Sequence, residues 1–143
     1  MNTNETPDDL RAVLHLLEQG RARLQKYGWC QGRLGNGSTL GQSTEFCLAG
    51  SLLAGPGADL SGKLAYREDV IDACGDEFQR MYQRALRRFS AVVGTKFPAM
   101  WNDRAGRTKA EVIAAFDSAI AQLKAELNIV SPRAIDQLAE VHA

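Results

Sequence analysis

The stretch 101–127, W-N-D-R-A-G-R-T-K-A-E-V-I-A-A-F-D-S-A-I-A-Q-L-K-A-E-L, decides the fold. Thr108 and Glu111 form a T-x-x-E capping box, in which each side chain satisfies the other residue's free backbone N–H. Behind it Val112, Ile113, Phe116, Ala119, Ile120, Leu123 and Leu127 fall on one face at helical period. A long amphipathic helix starting at Thr108 follows, and it needs apolar partners. In front of it, residues 101–107 read as a polar turn.

The rest of the chain supplies those partners as further helices. Thr6-Pro7-Asp8-Asp9 is a helix start with a cap, proline at the first helical position and two acids at the positive end of the dipole. Leu10, Val13, Leu14, Leu17 and Leu24 then share a face, which predicts a helix over about 7–27 ending at Gly28, with Gly20 marking a close crossing. Ser43-Thr44-Glu45 reads as the cap of a central helix through 46–54, apolar on every side, where Gly50 serves packing. Residues 55–65 read as a long loop, and a helical region follows with a break near Cys74-Gly75. Its second part carries Phe78, Met81, Tyr82, Ala85, Leu86, Phe89, Val92 and Val93 on one face, with Gly94 as the stop. Pro98 is expected to keep the chain extended into Trp101. Asn128 ends the pattern of the long helix, and Ser131-Pro132 opens a short C-terminal one.

Between Gly28 and Gln42 the helical period disappears among glycines. Asn36-Gly37 between short flanks is a two-residue turn signal, so a small β-hairpin or an ordered Gly-rich loop is expected at 29–41, anchored by Trp29. The fold class is therefore mainly α: a single compact helical domain spanning 1–143, of about five helices, with 1–6 and 129–143 expected to be loosely docked.

Composition narrows the function classes. Lys plus Arg (17) equals Asp plus Glu (17), so net charge favours no nucleic-acid partner, although a local patch remains open. There is no apolar run long enough for a membrane span, and Met1-Asn2-Thr3-Asn4-Glu5 lacks the features of a signal peptide. A cytoplasmic protein without a membrane partner is expected. Cys30, Cys47 and Cys74 match no disulfide or zinc spacing and read as reduced, buried thiols.

Catalytic constellations are hard to assemble. Cys47 near a helix start suggests an acidified thiol, but the histidines are His15, on the wrong face, and His142, next to the end. No phosphate-loop or nucleophile-elbow motif is present, and neither cofactor nor metal is implied. Two binding constellations remain. Arg80, Arg84, Arg87 and Arg88 fall on one stripe opposite the apolar face of their helix, either a solvated face or a grip for phosphates. Trp101, Asn102, Asp103 and Arg107 precede a helix N-terminus that can receive an anion, or they simply close the turn and plug the core.

The segments G-W-C-Q-G (28–32), F-C-L-A-G-S-L (46–52) and W-N-D-R-A-G-R-T-K-A-E-V (101–112) together resemble an uncharacterised domain family of actinobacteria and their phages. Its members carry W-x-Q-G, C-x-x-G-A-L and W-N-D-x-x-G-R-T-x-x-E-V in this order, and the resemblance covers most of residues 10–125. Ser51 departs from the family's alanine, a mild change in a packed helix. The resemblance implies a phage or mobile-element setting and no activity. The expectation is a non-enzymatic interaction protein that binds a host macromolecule, a host protein first, through the arginine stripe or an exposed helix face. The alternative is a small-ligand protein in which Trp29, Gln31 and Arg33 meet Trp101, Asn102, Asp103 and Arg107 over a nucleotide-like anion. Nothing in the sequence demands a homo-oligomer.

Overall fold

The computed structural model describes residues 5–54 and 75–130. The expected loop at 55–65, the break before Gly75, Cys74 and the C-terminal helix after Ser131 lie outside the described residues.

Helix α1 (Pro7–Lys26) begins as its sequence demands: the Asp9 N–H donates to Thr6 Oγ1 and the Thr6 N–H to Asp9 Oδ2, both at 3.1 Å. Its buried face, Leu10, Val13, Leu16, Leu17 and Leu24, lies against α2 (Leu48–Leu53), α3 (Asp76–Val93) and α5 (Lys109–Val130). Helix α5 starts at the predicted capping box, with the Thr108 N–H 3.0 Å from Glu111 Oε1 and the Glu111 N–H 3.2 Å from Thr108 Oγ1. It runs two residues past Asn128 to Val130 and buries Val112, Ala115, Phe116, Ala119, Ile120, Leu123 and Leu127. Gly94 closes α3 in the left-handed conformation at φ 76°.

At the centre sits α2, every residue of it buried. Two glycines let other elements reach it. A Cβ on Gly50 would stand 1.9 Å from the Leu34 carbonyl oxygen, and one on Gly20 would stand 2.8 Å from Leu52 Cδ2. Both expected close approaches are present. An aromatic chain crosses the core, Phe116 edge-on to Phe89 at 5.1 Å and Phe89 edge-on to Trp101 at 5.6 Å.

Three local expectations change. Pro98 does not keep the chain extended; it occupies the first position of a short helix α4 (Pro98–Asp103), where its missing N–H costs nothing, so Trp101, Asn102 and Asp103 of the expected polar turn are helical. Asn36-Gly37 makes no primed turn, because neither residue has positive φ, and no named strand forms among the described residues. Of the two forms expected, hairpin or ordered loop, the segment takes the second. Asn36 Oδ1 accepts from the N–H groups of Thr44 (2.9 Å) and Glu45 (3.0 Å), while Phe46 bridges to Trp29 on one side and Gly35 on the other. Thr44 is thereby used in the loop, as is Ser43, whose Oγ accepts from the Gly37 N–H, and the cap of α2 falls to Cys47.

Candidate functional site

The loop at 29–32 and helix α4 meet as expected, through Asn102. This side chain is 0% exposed and hydrogen-bonded to capacity. Its Oδ1 accepts from Trp29 Nε1 (2.7 Å) and from the Leu48 N–H (3.1 Å), the first N–H of α2. Its Nδ2 donates to the Cys30 carbonyl (3.2 Å) and to Asp103 Oδ1 (3.0 Å). Around it, Gln31 Nε2 donates to the carbonyls of Asn102 and Arg104, each at 2.9 Å, and the Gly32 N–H donates to Asp103 Oδ1 at 2.9 Å. Arg107 Nε donates to the Trp101 carbonyl (3.0 Å) while its guanidinium lies 3.9 Å from the centre of the Trp101 ring.

These bonds share one physical purpose. A helix leaves its last carbonyls and first N–H groups without partners, and two six-residue helices, α2 and α4, end beside each other here. Gln31 and Arg107 take carbonyls at the end of α4, and Asn102 takes an N–H at the start of α2. The motif residues bond to each other and to the backbone, so the Asn102 amide has no donor or acceptor left for a ligand. Arg33 does not join them; it is exposed, and its carbonyl accepts from Cys30 Sγ at 3.7 Å.

The arginines separate. Each i to i+4 step advances about 40° around a helix, so 80, 84 and 88 form a spiral and not a stripe. Arg80 stays in solvent, 3.5 Å from Glu77, and Arg87 is exposed. Arg84 and Arg88 turn toward the edge of the apolar face, where acids meet them. Arg84 Nη1 lies 2.8 Å from Asp9 Oδ2, and Arg88 bonds Glu5 at 2.8 Å and also Glu126. The Arg84 guanidinium, with the Thr6 backbone, holds the Asp9 carboxyl below its usual range. This cluster ties the start of α1 and the last turns of α5 to α3.

Cys47 shows why a helix start does not make a nucleophile here. Its Sγ accepts from the Gly50 N–H at 3.3 Å, which favours the thiolate, but burial outweighs that bond and pushes the thiol up to about 11. Burial raises Cys30 as well. Among the described residues no group of three or more His, Cys, Asp or Glu is placed to hold a metal ion. No helix there is long and apolar enough to cross a membrane.

A second region, not singled out by the sequence, stands beside the Asn102 cluster. Phe97 and Met100 are 62% and 69% exposed. They form a ridge between two open grooves of about 480 and 470 Å³: one toward Val93, Thr95, Trp101 and Arg104, the other toward Leu34, Ala49, Leu86 and Lys96. The available signal was Phe97-Pro98-Ala99-Met100, an apolar run in a connector, outside any periodic face.

Compared with known proteins, residues 8–122 match the model of a family of unknown function, DUF6197. No curated protein matches the chain, and no solved structure does.

Proposed function

We propose that this chain, which belongs to the DUF6197 family of unknown function, is a non-enzymatic interaction protein that docks a partner protein on the Phe97/Met100 face. One observation carries the reading. Two large apolar side chains three residues apart, one at the N-cap and one in the first turn of α4, are exposed where the following residues are firmly held, and an exposed apolar patch flanked by grooves is where a folded protein gains most by binding. Support also comes from what the other candidates do. Arg84 and Arg88 are ion-paired within the chain, and Cys47 is buried with a raised pKa.

The resemblance to a family of actinobacteria and their phages supports a cytoplasmic accessory protein of a phage or mobile element acting on a host macromolecule. A nucleotide-like anion beside Trp29 and Trp101 is the weaker alternative, because the bonds of Gln31, Asn102 and Asp103 are already made inside the chain.

The test is a photo-crosslinking residue placed at Phe97 and, as control, at exposed Ala121, in an actinobacterial host. A discrete adduct from position 97 that is lost with Met100→Ser is the expected result. Adducts that are absent from 97, or the same from both positions, contradict the proposal.

A further inference from the structure

The two grooves also carry a charge signature, and it describes the partner. Resting on the docking reading above, we infer that the Phe97/Met100 ridge receives an acidic amphipathic helix of a partner protein. The charged side chains lining the grooves are Lys96 on one side and Arg104 on the other; no acid lines either groove. Both cations are exposed and, among the described residues, neither forms a side-chain ion pair, unlike Arg21, Arg84, Arg88 and Arg107. Arg33 and Arg87 are also exposed without an ion pair among the described residues, so what sets this rim apart is the exposed apolar ridge that its two cations flank.

The shape is consistent with a helix. A ridge between two grooves of similar volume accepts side chains on both flanks, and an amphipathic helix offers apolar anchors at i, i+3, i+4 and i+7 for that purpose. Its polar positions then lie over the rim, where carboxylates meet Lys96 and Arg104. Rim charges act chiefly on choice of partner and on association rate, so the apolar ridge supplies affinity and the cations supply discrimination. Nucleic acid suits the surface less well, since two cations around an apolar ridge neutralise few phosphates.

The experiment uses two dye-labelled helical peptides of about fifteen residues with the same apolar face, one with glutamate and one with lysine at the polar positions, titrated with the full chain by fluorescence anisotropy. The Glu peptide is expected to bind at least ~10-fold tighter, a preference that shrinks with added salt and is lost in Lys96→Glu/Arg104→Glu. Phe97→Ser/Met100→Ser is expected to abolish binding of both peptides while the far-ultraviolet circular dichroism stays that of the parent. Equal affinity for the two peptides, with loss in the ridge variant, overturns the charge inference and leaves docking standing. Binding of neither peptide, or of a DNA duplex in their place, overturns it as well, and crosslinking at position 97 then decides docking separately.

Discussion

Met100 and Asn102 lie two residues apart on the same short helix, one 69% exposed and the other 0% exposed. The Asn102 side is polar, buried and satisfied at every hydrogen-bonding position of its amide; the Phe97/Met100 side is apolar and open. The contrast teaches that polar specificity in a turn is not by itself a binding signal. Six-residue helices stand only if their ends are satisfied, and the Trp-Asn-Asp motif does that. What remains for a partner is the surface that the fold has not used.

The comparison breaks most visibly if Asn102 is removed. Asn102→Ala leaves the Leu48 N–H, Trp29 Nε1 and the Cys30 carbonyl without that partner, and it is expected to cost about 3–5 kcal/mol in urea unfolding. Gly50→Ala comes next, at more than about 2 kcal/mol, because its Cβ meets a backbone oxygen that α2 itself holds: the Leu34 carbonyl accepts from the Cys47 N–H. At Gly20 the nearest atom is the end of a leucine side chain, which can give, so Gly20→Ala should cost only about 1 kcal/mol.

Acid sharpens the capping side of the account. Asp9 and Glu111 have folded pKa values below their ordinary ones, Asp9 chiefly through Arg84 and Glu111 chiefly through the Thr108 backbone. Their contributions are present above the unfolded pKa values and disappear as pH falls through the folded ones. A urea midpoint series below about pH 4.5 is expected to decline, and the decline should be shallower in Glu111→Gln, which has no carboxylate to protonate at that cap. The smallest effect belongs to the open face: Phe97→Ser and Met100→Ser each change stability by no more than about 0.5 kcal/mol, read by the same urea midpoints.

Much of the fold was legible because its signals are local. The Thr6 cap with Pro7 and the Thr108/Glu111 box set the starts of α1 and α5, and Gly94 set the end of α3; that Asp9 closes a box with Thr6 was seen only in the structure. The Pro98 helix was not, since proline is equally suited to holding a segment extended and to opening a helix, and the choice depends on how Trp101 packs against Phe89. The hairpin signal at Asn36-Gly37 failed for a related reason: asparagine can serve a turn through positive φ or through its amide, and here the amide is used on Thr44 and Glu45. For the candidate site, the sequence correctly brought Trp29 and Gln31 to Asn102 and Asp103. It could not show that their bonds are spent on each other, because the partners lie more than seventy positions apart and become visible only once α2 and α4 are placed.

The most direct test of Asn102 as a structural centre is the stability of Asn102→Asp against that of the parent across pH. The replacement keeps the shape, removes the donors and places a carboxyl in a fully buried site beside Asp103. Burial raises the folded pKa of that carboxyl, so the deficit relative to the parent should be smallest below about pH 4 and widen as pH rises toward neutrality. A variant as stable as the parent at pH 7 would contradict the account.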